Sequence, residues 1–366
     1  MMLRDSEDHT ISMDPPSMYT YTKWNAEDAT DTAIDSLRQR DIIGAVRTPG
    51  GLGSGSFKPT ALMSKKERRM ATVNEVKVDL AKQRHTRLVQ SSVQGQVVSW
   101  EDKGVERKLS WKDIWSWTPA RLSFLMKSTY DTLPSPSNLV RWKISQDSKC
   151  KCGQLGTMRH ILSNCPLGLQ RRYLWRHNKV LEVILNAIKE KISQINQGNL
   201  PLINSSKIVR FCKQGVTPLK KKKVQKENSE WRGTWTVDSD IDNNLIFPIV
   251  DTAQKPDLLV YNEERKVMKM IELTVSWETN MNDAYDRKNK RYAKLCKDCR
   301  AEGWQVDCLP IEVGARGFVG KRVPALLTKI GLNSKERMRV MKDIQEAAEK
   351  SSFWIWLKRN DTTWNE

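Results

Sequence analysis

Apolar positions in this chain follow two rhythms, one in each half. Residues 64–94 read as mostly helical and open on the basic cluster Lys65-Lys66-Glu67-Arg68-Arg69. Between 110 and 130, Trp111, Ile114, Trp115, Leu122, Phe124 and Leu125 recur near a helical spacing that Pro119 interrupts. Leu133-Pro134-Ser135-Pro136 ends that stretch, and residues 138–142 form a short further element. A long helix is predicted over 167–195, broken at Gln197-Gly198. After Gly233 the rhythm shortens to that of strands, with 235–237, 245–247, 257–261, 267–275 and 306–313 as the predicted members. A helix over 282–302, stopped by Gly303, separates the last two. The final helix spans 334–358, with Asn333 as N-cap and Glu336 completing a capping box. Strand-strand-strand-helix-strand behind a leading helix predicts an α/β domain with a mixed sheet.

Four segments follow. Residues 1–66 are polar, with Pro15-Pro16 and a Gly/Ser stretch over 49–56, and are expected to form a disordered arm. Residues 67–145 form a helical linker region, 146–170 a compact cysteine/histidine segment, and 171–360 the α/β domain. The last carries a Lys-rich insertion at 196–230 that includes Lys220, Lys221, Lys222 and Lys223.

Charge changes the picture. The 366 residues hold 62 Lys+Arg against 43 Asp+Glu, a formal net charge of +19, which points to a polyanionic partner. No run of about 18 apolar residues predicts a membrane span. Asp5, Glu7, Asp8 and Asp14 fall where a signal peptide would be apolar, so none is expected. Seven cysteines without an export signal favour metal ligation or burial over disulfides.

Cys150, Cys152, His160 and Cys165 place three thiolates and one imidazole within a short segment, a set that satisfies tetrahedral Zn²⁺. Metal would supply the folding free energy that so small a segment cannot bury. Lys143, Lys149, Lys151 and Arg159 flank it, and Lys151 and Arg159 can face a phosphate backbone or simply solvent. Cys296, Cys299 and Cys308 have no His nearby and read as buried thiols.

A second constellation is acidic. If 257–261 and 267–275 form a hairpin around a two-residue loop at Glu264-Arg265, Asp257 faces Glu272 with Cβ atoms ~4.5–5.5 Å apart. A four-residue turn gives the same pairing. Leu259, Tyr261, Met268 and Met270 then share their face, and Lys269 points away. Two carboxylates that close repel unless a cation sits between them, and hard oxygen ligands suit Mg²⁺. Ala284, Lys288, Arg291, Leu295 and Cys299 form one stripe of the following helix, so Lys288 and Arg291 can reach the sheet edge.

The cysteine/histidine spacing, then Arg176-His177-Asn178, then Lys255-Pro256-Asp257 with Glu272-Leu-Thr-Val, then Arg287-Lys288 with Arg291-Tyr292, occur in that order. The region 110–358 thereby resembles the C-terminal part of non-LTR retrotransposon polyproteins that carry a restriction-like endonuclease. The segment 310–318 is similar to that family as well. The resemblance implies a zinc knuckle followed by a PD-(D/E)xK nuclease fold, with the catalytic Lys moved onto the helix after the acidic strand. It implies Asp257 and Glu272 as Mg²⁺ ligands, Lys288 as catalytic cation with Arg291 as helper, and Cys150, Cys152, His160 and Cys165 as zinc ligands. Arg176 and His177 would have structural or DNA-contacting roles. Lys220–Lys223 would widen a phosphate-binding face or act as a nuclear signal. The implied activity is nicking of DNA in the nucleus, with DNA or RNA as partner and a reverse transcriptase in the parent polyprotein. No Tyr/Phe-x-Asp-Asp polymerase motif is present, so a separated tail of such a polyprotein is expected. A catalytically inactive nucleic-acid-binding relic and a zinc-knuckle adaptor are the competing expectations.

Overall fold

The computed structural model describes residues 45–48, 51–54, 64–98, 103–168, 171–199, 201–204, 225–241, 245–361 and 364. It divides into two units, Met1–Ser91 and Ser92–Glu366. In the first, β1 (Ala45–Thr48) pairs antiparallel with β2 (Gly51–Ser54). This hairpin falls within the expected disordered arm. The rest of that arm before residue 64 lies outside the described residues. α1 (Lys65–Gln90) starts at Ser64, whose hydroxyl accepts from Glu67 N at 3.3 Å while Glu67 Oε2 accepts from Ser64 N at 2.8 Å. The reciprocal pair satisfies donors that a helix start otherwise leaves open.

The second unit opens with short helices. α2 (Trp111–Ser116) and α3 (Pro119–Thr129) stand where the sequence predicts one interrupted helix. Pro119 cannot extend the first helix, but its fixed φ suits the first turn of the next, which Thr118 caps. α4 (Pro136–Arg141) begins the same way behind Ser135. The cysteine-bearing segment follows, then α5 (Arg172–Asn196). β3 (Leu202–Asn204) and β4 (Gln225–Glu227) pair antiparallel inside the Lys-rich insertion, whose Lys220–Lys223 lie outside the described residues.

A four-stranded mixed sheet follows, in the order β5 (Thr236–Ser239), β6 (Leu258–Asn262), β7 (Val267–Ser276), β8 (Gln305–Gly314). The first two pairings are antiparallel and β7–β8 is parallel. α6 (Met281–Ala301) makes the crossover between the parallel strands. It ends at Gly303, φ 79°, with Trp304 N returning to Cys299 O at 3.1 Å, a turn that favours a residue without Cβ. α7 (Arg322–Lys329) and α8 (Ser334–Leu357) complete the chain. The predicted capping box of α8 is present, with Asn333 Oδ1 accepting from Glu336 N at 3.0 Å.

Two predictions differ. Residues 245–247 form no strand: Leu245 is buried, its N–H bonded to Asp240 Oδ1 at 3.0 Å, Ile246 is exposed, and Phe247 is partly buried. The in-out-in alternation is that of a loop lying on the core, not of a paired strand. α7 lies outside the predicted elements, although buried Val323, Leu326, Leu327 and Ile330 carry a helical spacing.

Helices cover both faces of the sheet. On one, Val180, Leu181, Ile184 and Ile188 of α5 and Val340 and Ile344 of α8 pack with Leu258, Val260, Ile271 and Leu273. On the other, Tyr292, Leu295, Cys296 and Cys299 of α6 pack with Leu259, Tyr261, Met268 and Met270. A third cluster, with Phe124, Met158, Leu162, Trp277 and Trp356, fastens the cysteine-bearing segment to α3 and α8. Among the described residues no helix is long and apolar enough to cross a membrane.

Glu349 of α8 is fully buried and binds Arg107 at 2.6 Å and Arg121 at 2.8 Å, holding the linker helices against the α/β domain. Glu349→Ala would leave Arg107 buried without its carboxylate and Arg121 with Glu346 alone. The expected loss is about 3–5 kcal/mol in equilibrium urea unfolding.

Candidate active site and metal centre

The cysteine-bearing segment is built by two turns. Lys149 bridges Leu155, Cys150 N donates to Gln154 O at 2.7 Å, and Gly153 takes φ 83° to close the loop between Cys152 and Gln154. His160 opens a single π-helical turn, His160–Asn164, and Cys165 follows it. The ligand atoms of Cys150, Cys152, His160 and Cys165 all lie within 4.8 Å of one another. Cys150 Sγ and Cys165 Sγ are 3.8 Å apart, and Cys152 Sγ is 3.1 Å from His160 Nε2. Two sulfurs each ~2.3 Å from a tetrahedral centre are about 3.8 Å apart. The cluster can therefore hold a metal ion, and its donor set suits zinc. Burial pushes the metal-free Cys165 thiol up to about 12, a cost that a coordinated cation removes by deprotonating the ligand. Cys296 and Cys299 are buried and Cys308 half-buried, away from any such cluster among the described residues.

The carboxylates meet as the hairpin register requires. Leu258 pairs with Ile271 and Asn262 with Val267, around a four-residue turn in place of the two-residue loop. Asp257 N donates to Glu272 Oε2 at 3.3 Å, and Asp257 Oδ2 accepts from Leu273 N at 2.6 Å. Glu272 is 3 % exposed and is ion-paired through Oε1 with Lys288 Nζ from α6. Burial and then the Asp257 charge raise the Glu272 pKa, while Lys288 and the Tyr292 hydroxyl oppose that rise. Tyr292 also donates to Lys255 O at 3.0 Å, tying α6 to the chain before β6.

Placement sorts the other expected residues. Arg291 is exposed, and its carbonyl accepts from Gln254 Nε2 at 3.0 Å; of the pair on the α6 stripe, Lys288 is the one on Glu272. His177 comes from the opposite face of the sheet. Its Nε2 lies 3.4 Å from Asp257 Oδ2 and 3.3 Å from Leu273 O. Burial pulls the His177 pKa down, but Asp257, Asn178 and the Leu273 carbonyl together leave it raised. Arg176 is buried, donating to Leu162 O at 2.8 Å and Ser352 Oγ at 2.9 Å, so it packs the interior and offers no surface to DNA. Lys151 and Arg159 are exposed; Lys151 Nζ donates to Asn360 O, and Arg159 to Asn280 Oδ1 at 3.0 Å.

Two residues outside the predicted set stand beside this site. Glu312 of β8 pairs with Thr274 in the register, is 1 % exposed and binds Arg322 at 3.1 Å; its Oε1 has no hydrogen-bond partner among the described residues. The Arg322 guanidinium lies 3.5 Å from the Tyr285 ring centroid, one turn before Lys288 on α6. The alternation of β8 marks Glu312 as polar on a buried face, which is the one sequence signal that could have found it.

Zinc analysis of the purified chain should return one ion per molecule, and Cys152→Ser should lose it along with the folded signals of residues 146–168 in NMR spectra. Glu312 supplies a pH test. Burial first, with Asp286 adding and Arg322 opposing, lifts its carboxyl from 4.5 to about 7. Below the lower value both folded and unfolded forms are neutral there. As pH rises toward the upper value, only the unfolded chain ionises freely, so stability falls by about 3 kcal/mol. Glu312→Gln should lack this component of the decline between pH 5 and 8 in urea titrations. No protein-family model and no curated protein matches the chain, so the functional reading rests on the order of its motifs and the geometry of these side chains.

Proposed function

We propose that this protein is a Mg²⁺-dependent DNA endonuclease of the PD-(D/E)xK type, the nuclease and zinc-knuckle portion of a non-LTR retrotransposon polyprotein. Its work would be nicking target DNA in the nucleus. The observation that carries the reading is the meeting of Asp257 at the start of β6, Glu272 in β7 and Lys288 of α6. Burial first, and then the closeness of Asp257, raise the Glu272 pKa, as is common where carboxylates serve a function. A divalent cation fits that pair: two hard oxygen donors, excess negative charge, and one neighbouring ammonium that does not cancel it.

Asp257 and Glu272 would hold the ion, whose contribution is to acidify a bound water and to offset charge on the phosphodiester. The protein's own groups do the positioning. Leu273 N and His177 Nε2 both address Asp257 Oδ2 and fix the carboxylate's orientation. Lys288 keeps a positive charge at the site, where negative charge accumulates on the phosphate oxygens during attack. Arg322, half-exposed and braced by Glu312 and the Tyr285 ring, would supply a further cation for a neighbouring phosphate.

The test is conversion of supercoiled plasmid to open circles with Mg²⁺ and with EDTA. Asp257→Asn, Glu272→Gln and Lys288→Met should each reduce nicking by on the order of 10²–10³, whereas Arg291→Ala should stay within about threefold, as expected of an exposed contact. A folded, zinc-loaded chain that binds DNA but nicks nothing would be a binding relic, and the nuclease reading would fall.

A further inference from the structure

Three thiols lie apart from the cysteine/histidine cluster: Cys296 and Cys299 on α6, and Cys308 on β8. The Gly303 turn folds β8 back beneath α6, where Trp304 N returns to Cys299 O at 3.1 Å and Arg300 donates to Val306 O at 2.9 Å. All three cysteines thereby enter the apolar cluster on this face of the sheet. Among the described residues they belong to no group able to hold a metal ion, so their chemistry is that of thiols.

The three are not equivalent. Cys296 and Cys308 share a hydrogen bond across the helix–strand packing. That bond, with the Arg300 guanidinium nearby, outweighs burial and lowers the Cys296 thiol from its ordinary value. The Cys308 thiol is raised by the same bond, by burial and by the Cys296 and Glu272 charges. Burial pushes Cys299 up to about 11. A thiolate is the nucleophile in sulfur chemistry, and a neighbouring thiol resolves its oxidised form into a disulfide. Cys296 supplies the first, Cys308 the second, and Cys299 neither. Cys296 is buried and Cys308 half-buried, which admits an oxidant hardly larger than water and holds off a bulky one such as oxidised glutathione.

We infer that Cys296 and Cys308 are an oxidisable dithiol, converted by hydrogen peroxide to a disulfide that staples α6 to β8. The Cys296 sulfur attacks one peroxide oxygen. The O–O bond breaks, giving a sulfenic acid and a hydroxide that takes a proton from solvent. The Cys308 sulfur then attacks the sulfenic sulfur, the S–O bond breaks, and the departing hydroxide leaves as water with the Cys308 proton. Two thiols are oxidised, one peroxide is reduced and two waters form. Hydrogen-bonded sulfurs need close by only roughly 2 Å to reach the S–S bond length. Lys288, Tyr292 and Cys296 follow at i, i+4 and i+8 along α6, and Cys308 pairs with Met270, two residues before Glu272. The staple would fix the helix that carries Lys288 to the strand next to the one that carries Glu272. This site stands whether or not the carboxylates cleave DNA.

The experiment titrates the full, zinc-loaded chain with hydrogen peroxide, blocks free thiols with iodoacetamide, digests with trypsin without reductant and reads the peptides by mass spectrometry. Trypsin cuts after Lys297 and Arg300, so each of the three cysteines falls in its own peptide. The first cross-link should join the Cys296 and Cys308 peptides, about tenfold faster than any through Cys299, before zinc is released to a chromogenic chelator. Dithiothreitol should reverse it. In Cys308→Ser, Cys296 should accumulate as a sulfenic acid captured by dimedone, whereas Cys296→Ser should show no dimedone adduct at Cys308. Cys299→Ser and Asp257→Asn should oxidise as the parent does, the latter separating this site from the nuclease reading. The inference would be overturned by a first cross-link through any other cysteine, by a Cys296–Cys308 link that forms only after zinc has left, or by no link at all. These three outcomes are read on the parent chain, so a variant that fails to fold does not shelter the inference.

Discussion

The register of β6 against β7 is the constraint on which the carboxylate site rests. Successive β7 side chains alternate between the two covered faces, so every charge on the strand is committed to one side. Lys269 is fully buried on the α5 side, where it meets Glu230 at 2.5 Å and Asp307 at 3.4 Å and lies 5.3 Å from the Trp231 ring. Glu272 is buried on the α6 side against Lys288. A slip of β7 by one residue would drive the Lys269 ammonium among Leu259, Tyr261 and Leu295 and put Glu272 into the α5 core. Each move would strand a buried charge without its partner, at a cost of several kcal/mol. The two ion pairs act as opposed pins, and the opposition of Asp257 to Glu272 follows from them.

Charge also closes the sheet just beyond the C-terminal ends of β7 and β8. Glu278 follows β7 and Arg316 follows β8, and the two are fully buried together, with Glu278 accepting from Arg316 N at 2.7 Å and Nε at 2.8 Å. Gly314 leaves room for the Glu278 carboxylate, and the Trp277 ring lies 4.1 Å from the Arg316 guanidinium. The parallel β7–β8 pair is therefore tied beyond its last ladder bond. The contrast with Asp257 and Glu272 is physical. At the structural end one carboxylate meets one guanidinium and the charges balance. At the candidate site two carboxylates lie together against one ammonium and one imidazole, at the partly open start of β6.

Much of this was legible in the sequence because the signals are local. Pro119, Gly303 and the Asn333–Glu336 box act within a turn or two, and each ends or starts a helix where its chemistry dictates. The opposition of Asp257 and Glu272 was legible because a short hairpin fixes register by counting, and a turn of two or four residues gives the same count. What could not be read is long-range. His177 reaches Asp257 from 80 positions earlier, across the sheet, and no local pattern signals that. Arg176, its neighbour, turns inward because 100° of helix separates the two side chains. Arg291 shares a stripe with Lys288, yet its side chain is exposed, and periodicity alone does not say which of the two meets Glu272.

The same helical geometry makes α5 a connector. Within its first two turns, Tyr173 donates to Ile161 O at 2.7 Å and accepts from Cys165 N at 3.1 Å, Arg176 holds Leu162 O, and His177 addresses Asp257. The first three contacts grip the turn that carries His160 and Cys165. The fourth grips a carboxylate. Because neighbouring residues on a rigid helix move together, whatever fixes the cysteine-bearing turn also fixes the imidazole at Asp257. Order at the cysteine/histidine cluster and order at the carboxylates are thereby parts of one mechanical unit, joined through less than two turns of helix. The zinc-type cluster need not touch a substrate to matter to the site: its ligands anchor the end of the helix from which that site is partly built.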